Sequence, residues 1–187
     1  FSLTSEPIDF NFEFVSFSDL SILTLYNDGY YFGTKDNPYL FLYRFNPTAK
    51  GEARVADTTK YIYNNAFTNV LNITSLVIPD NVIKMGNVIL SGNNNTALKT
   101  ISLPLTGDYT YLTNIGTLGK NLEEIRFTSG EVLPDYFFKD LKTDVKVILP
   151  DNISYTYNSF SLLSANIYFE ENNCKYLQSI SNPYKFL

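Results

Sequence analysis

The stretch Leu76-Val77-Ile78-Pro79-Asp80-Asn81-Val82 sets two apolar residues one position apart and follows them at once with proline. The same phrase returns as Val147-Ile148-Leu149-Pro150-Asp151-Asn152-Ile153 and, shortened, as Ile101-Ser102-Leu103-Pro104. Apolar beats fall at Ala53, Leu76, Ile101, Ile125, Val147 and Ile167, with spacings of 23, 25, 24, 22 and 20 residues by subtraction. Each is followed, after one variable residue, by a second: Val55, Ile78, Leu103, Phe127, Leu149 and Phe169. Ile73, Leu98 and Leu122 add an apolar residue three places earlier. A period of about 20–29 residues with this internal spacing is what stacked coils produce. Each unit then reads as a short strand that buries both apolar residues and stops at a proline, which has no N–H to donate to a ladder.

The second half of each unit repeats as well. Tyr61-Ile62-Tyr63-Asn64-Asn65-Ala66-Phe67 aligns at an offset of 23 with Lys84-Met85-Gly86-Asn87-Val88-Ile89-Leu90, and the same slot holds Leu133 to Phe138 and Tyr155 to Phe160. These are expected to be irregular or short-helical return segments that drop a Phe or Ile into the interior. Before residue 50 the pattern is different. Ile8, Phe10, Phe12 and Phe14 alternate with polar residues, the period of a half-buried strand. Ile22 to Tyr26, the turn signal Asn27-Asp28-Gly29, and Tyr30 to Phe32 predict a β-hairpin. A third run, Tyr39 to Phe45, follows the turn Asp36-Asn37-Pro38. Together these predict a small sheet capping the coils.

Composition agrees with strands rather than long helices: Tyr 15, Phe 15, Trp 0, few Gly and Ala, and many Asn, Ser and Thr. The net charge is −5, and Lys and Arg are not clustered, which argues against nucleic acid and against anionic membrane surfaces. No stretch approaches the ~20 apolar residues of a membrane span. With His 0, Ser-His-Asp and Cys-His machinery is excluded. Cys174, the lone cysteine, permits no internal disulfide and reads as incidental. The nucleotide-binding glycine motifs are absent, so no cofactor is expected. The chain opens at Phe1 without a leader-like segment, as expected of a portion of something longer.

The units L-x-x-L-x-I-P-(D)-N-V-x-x-(I/M)-G and I-x-x-x-A-F resemble the BspA-type leucine-rich repeats of bacterial surface proteins. The carrying residues are Ile73, Leu76, Ile78, Pro79, Val82, Met85 and Gly86, with Ile62, Ala66 and Phe67 for the second half. Tyr31 to Leu42 looks like the linker motif that often precedes such repeats. The expected fold is a β-rich repeat solenoid: a leucine-rich-repeat-like right-handed coil with a short-strand parallel sheet and an N-terminal β-hairpin cap. Residues 1–49 are assigned to the cap and linker motif, 50–170 to a solenoid of about six coils, and 171–187 to the start of a further copy. That last assignment follows the match of Asn37-Pro38-Tyr39-Leu40-Phe41-Leu42 with Asn182-Pro183-Tyr184-Lys185-Phe186-Leu187, which suggests a tandem array of monomeric modules. The resemblance implies an extracellular or cell-surface protein that binds host or matrix protein or glycan, with no catalytic residues.

Binding residues are sought at the outward positions of the strands. One row passes through Arg54, Val77, Ser102, Arg126, Ile148 and Tyr168, the other through Glu52, Ser75, Thr100, Glu124, Lys146 and Asn166. From these rows Arg54, Val77, Ser102, Glu124, Arg126, Lys146, Ile148 and Tyr168 are the candidate ligand contacts. Glu124 and Arg126 share a face and should form an ion pair. The aromatic residues are expected mostly in the core, with a few stacking on sugar rings. A polysaccharide-acting solenoid enzyme is the alternative, and it needs two carboxylates on one face about 5–10 Å apart. A structural spacer with no ligand is the third reading. Adjacent acids such as Glu123-Glu124 and Glu170-Glu171 point to opposite faces of a strand and do not qualify. Asp28, Asp36, Asp57, Asp80 and Asp151 read as turn acids rather than calcium ligands. Asn72-Ile73-Thr74, Asn94-Asn95-Thr96 and Asn152-Ile153-Ser154 match the glycosylation sequon, which would carry no meaning in a bacterial protein.

Overall fold

The computed structural model describes residues 20–86, 97–105, 121–130, 132–133, 145–150, 153–155, 158–159 and 166–169, the last four and Tyr155 as backbone. Outside them lie the expected strand Ile8–Phe14, Cys174, Asp151, Glu170, Glu171, the sequons at Asn94 and Asn152, and the second motif copy at 171–187.

Thirteen strands are described: β1 (Thr24–Tyr26), β2 (Gly29–Phe32), β3 (Phe41–Phe45), β4 (Lys50–Arg54), β5 (Tyr61–Ile62), β6 (Asn72–Val77), β7 (Lys84–Met85), β8 (Thr100–Leu103), β9 (Glu124–Phe127), β10 (Val132–Leu133), β11 (Lys146–Leu149), β12 (Ser154–Tyr155) and β13 (Asn166–Phe169). A 3-10 turn at Leu20–Ile22 is the one helical element among the described residues. The chain is a β-solenoid.

Its main sheet has six strands in the order β13-β11-β9-β8-β6-β4, all parallel. The apolar beats of the sequence are its rungs, because Ala53, Leu76, Ile101, Ile125, Val147 and Ile167 stand in register from one edge to the other. Parallel pairing follows from coiling, since each strand is re-entered from the same side after one full coil. The apolar residue three places before a beat needs a separate explanation, as simple alternation would turn it outward. Between β4 and β6 the register shifts, with Gly51 opposite Ile73 and Glu52 opposite Ser75, so Thr74 is an extra residue. That bulge returns Ile73 to the interior, where it is fully buried.

Prolines mark the corner after the strand. The Val82 N–H donates to the Pro79 carbonyl (3.1 Å), the Ile153 N–H to the Pro150 carbonyl (3.3 Å), and the Thr59 N–H to the Ala56 carbonyl (2.9 Å) where no proline stands. The return segments then form short strands and turns. In the five-stranded second sheet, order β1-β2-β3-β5-β7, Tyr61 pairs with Lys84 and Ile62 with Met85, the alignment read at an offset of 23. The parallel pair β10-β12 places Leu133 opposite Tyr155. Short-helical returns are not found among the described residues. Asn65 and Asn69 (φ 58° and 64°) adopt the left-handed region that asparagine tolerates, which interrupts a right-handed helix in the return that holds them.

The core lies between the sheets and runs without a break from Tyr31, Leu42 and Phe45 through Leu76, Ile101 and Ile125 to Leu149. The Ala-Phe phrase enters it as Ala66 and Phe67, the latter stacked on Phe45 with centroids 5.1 Å apart. At Gly86 a β-carbon would collide with the backbone and side chain of Asn64, one coil earlier, so the Met-Gly step is set by close approach of successive returns.

The hairpin cap forms as expected. Asn27 and Asp28 (φ 44° and 63°) make the two-residue turn that suits the twist of a hairpin. The cap is not a separate sheet, however. β3 pairs in parallel with β5, so the cap occupies the place of a preceding coil and extends the return sheet.

Candidate functional site

Both outward rows exist as sequence spacing placed them. Glu52, Ser75, Thr100, Glu124, Lys146 and Asn166 are successive register partners, as are Arg54, Val77, Ser102, Arg126, Ile148 and Tyr168. Arg54 and Thr100 are exposed; Ser75, Val77, Ser102, Glu124, Arg126 and Lys146 are half-buried, as expected of neighbours in a flat sheet. Tyr168 is placed by backbone register beside Ile148.

Ile148 corrects the expectation of an exposed contact, for it is only 4% exposed. It stands outside the contiguous core, in register with Arg126. At a strand spacing of ~4.8 Å, the long stem of Arg126 on the next strand can lie over so short a branched side chain.

Charges on this strip sit on β4 at one edge and on β9 and β11 toward the other, and they pair with one another. Arg54 Nε donates to Glu52 Oε1 at 3.2 Å. Toward the other edge Glu124 lies 3.7 Å from Arg126 and 3.2 Å from Lys146, including the pair expected from sequence. Just before β8 and β9, Lys99 reaches Glu123 at 2.8 Å. Between these charged strands lie Ser75, Val77, Thr100 and Ser102, all uncharged. Among the described residues no side-chain hydrogen bond engages the hydroxyls of Ser75, Thr100 or Ser102.

Glu52 and Glu124 are the carboxylates of the strip. Three strand steps separate them, roughly 14 Å at ~4.8 Å per step, which exceeds the span of a glycosidase pair. Two of the turn acids are bound by other side chains. Asp80 accepts from the hydroxyls of Thr128 and Ser129 (2.9 Å for Ser129), and Asp28 accepts from Asn46. Among the described residues no three His, Cys, Asp or Glu side chains converge on a point that could hold a metal. No helix among them is long and apolar enough to cross a membrane.

Two features escaped the sequence reading. On the outer face of the second sheet Phe32 stacks on Phe41 (centroids 4.4 Å) and Phe41 on Tyr61 (5.9 Å), with Tyr43 and Tyr63 paired beside them (5.3 Å). Phe41 is 3% exposed yet outside the core cluster. Both faces of its ring are taken by neighbouring rings, so it presents no flat face to a sugar. The recurrence of aromatic residues two apart at Phe41/Tyr43 and Tyr61/Tyr63 was the available signal.

The second is the stitching of the linker motif to the first corner. The Tyr31 hydroxyl accepts from the Ala56 N–H at 3.1 Å. Asn37 donates to the Thr58 carbonyl (2.8 Å) and accepts from the Thr58 hydroxyl (2.9 Å), and Thr59 donates to the Tyr39 carbonyl (2.9 Å). Gly33 is required there because a β-carbon would strike the Asn37 carbonyl. Burial pushes the Tyr31 phenol up to about 12, against the lowering effect of the Ala56 hydrogen bond and with smaller raising contributions from Tyr26 and Tyr39.

No curated protein and no solved structure matches this chain. The model of the BspA type leucine rich repeat region matches residues 43–162 in 6 copies. That span runs from β3 in the cap to beyond β12, and it covers the rungs from Ala53 to Val147, leaving β13 outside. The chain therefore belongs to the BspA-type leucine-rich-repeat family.

Proposed function

We propose that this chain is a non-catalytic binding module of an extracellular or cell-surface protein, and that it acts in adhesion to host or matrix protein or glycan through the outer face of its main sheet. The family is one of surface repeat proteins suited to binding, which supports the general class. One observation carries the choice of face. The outward rows of the main sheet hold side chains whose hydroxyls are engaged by no other described side chain, whereas the outward rings of the second sheet are packed on one another. A rigid, preformed strip lowers the ordering cost of association, and modest contacts accumulate along it.

The test measures binding of the chain to immobilised collagen, laminin and a glycan array, alongside the double variant Val77→Glu/Ser102→Glu. Binding that the variant loses, with its circular dichroism unchanged, supports the assignment. Equal binding by the variant contradicts it. Release of reducing sugar from a polysaccharide would favour the enzymatic alternative.

A further inference from the structure

The strip also carries information about its ligand class, on the assumption that it is the binding face proposed above. We infer that its middle takes a neutral, unsulfated linear glycan, laid across the strands with about one sugar per coil.

Charge comes first. A polyanion selects clusters of unopposed cations, but Arg54 is paired with Glu52, and Arg126 and Lys146 share Glu124, which leaves a single positive charge in excess at that position. The segment between these pairs holds Ser75, Val77, Thr100 and Ser102 and no charge in either row, the mutually paired Lys99 and Glu123 lying beside it. Uncharged polar ligands are the complement of such a surface.

Hydroxyl chemistry comes second. Ser75 and Thr100 are register partners in one row, and Ser102 stands beside Val77 in the other. Each hydroxyl offers one donor and two acceptor sites, which matches the hydroxyls of a sugar. Val77, half-buried between them, supplies an apolar contact for the C–H face of a pyranose ring.

Spacing decides between a glycan and an extended peptide. Successive coils present equivalent side chains every ~4.8 Å, while an extended peptide advances ~3.3 Å per residue and falls out of step within two residues. An extended β-1,4-linked hexose chain advances per sugar by about the strand spacing, so its sugars keep step with the coils, with alternate rings turning opposite faces to the strip. Along the strands the strip is only two outward residues wide, or ~7 Å, the width of one sugar and too short a track for a peptide strand.

The experiment is titration calorimetry of the chain with cellohexaose, chitohexaose and a β-1,3-glucan hexasaccharide. A heparin hexasaccharide serves as the charged comparator, and immobilised collagen and laminin as protein comparators. A neutral disaccharide, which spans the two uncharged coils, is expected to bind nearly as tightly as its hexasaccharide. Raising sodium chloride from about 0.1 to about 1 M should change that affinity little. The triple variant Ser75→Ala/Thr100→Ala/Ser102→Ala should lose at least about tenfold in affinity. Its thermal midpoint, read in parallel, should stay close to the parent's, because among the described residues these hydroxyls make no side-chain hydrogen bond. Binding confined to heparin and abolished by salt would overturn the inference, as would neutral-glycan binding that the triple variant retains in full. Binding to protein alone would overturn it while leaving the adhesive reading standing; binding to none of the probes would remove both.

Discussion

On the six-stranded sheet the outward positions of adjacent coils hold Ser75, Val77, Thr100 and Ser102, whereas on the five-stranded sheet they hold Phe32, Phe41 and Tyr61. Both faces come from the same coiling backbone, and both repeat at the same strand spacing. Their side chains do opposite things. The rings reach far enough to satisfy one another, which stiffens the joint between the cap and the first coils. The hydroxyl side chains of Ser75, Thr100 and Ser102 make no such side-chain pairs among the described residues, and Thr100 is exposed. A ladder of equivalent positions thus becomes internal structure or an available surface according to the length of the side chain placed on it.

Breaking an inward rung should cost far more than breaking either outer face. Phe127→Ala removes a fully buried ring and should lower unfolding free energy by about 3–5 kcal/mol in a denaturant titration, while Val77→Ala should stay within about 0.5 kcal/mol. Comparable losses at the two sites would mean that the inward and outward assignments are wrong.

Tyr31→Phe sharpens the contrast at the cap. It leaves the buried Ala56 N–H without its acceptor and should cost about 1–3 kcal/mol. It should also change the response to alkali. Because the folded-state pKa of Tyr31 lies near 12, above the unfolded value near 10, the phenol's contribution is complete below pH 10 and is lost as pH rises toward 12. The parent should therefore lose up to roughly 3 kcal/mol more than the variant over that window. Identical alkaline profiles would show that Tyr31 is not buried in the joint.

Tyr61→Ala should remove about 0.5–1.5 kcal/mol of ring pairing beyond its area, whereas Thr100→Ala on the other face should be close to neutral. Smallest of all, Glu124→Gln should cost at most about 1 kcal/mol, and the difference from the parent should shrink in ~1 M salt. A large, salt-independent loss there would indicate a buried role for this carboxylate.

Much of the fold was legible because inward positions are chosen by a single property. Ala53, Leu76, Ile101, Ile125, Val147 and Ile167 need only be apolar to mark equivalent rungs, and their spacing tolerates loops of unequal length. Alternation also gives the direction of a side chain, which is why both outward rows were found. It does not give shading by neighbours, so Ile148 was expected in the open and lies covered. The aromatic stack was read as core because β5 is two residues long, and so short a strand does not reveal which face its rings take. The bond between Tyr31 and Ala56 spans 25 residues and has no local signature. Within the candidate site, the row was legible and its chemistry was not. The absence of charge between Glu52–Arg54 and Glu124–Arg126 acquires meaning only once the coils are stacked.

The stacking itself can be measured directly. Spin labels placed at Glu52→Cys and Lys146→Cys in a Cys174→Ser background stand four strand steps apart in one row. With rungs in parallel register, a double electron–electron resonance experiment should return a single narrow distribution near ~19 Å plus label length. A broad distribution, or one centred well beyond that distance, would mean that the two residues do not share a ladder, and the binding strip would not exist.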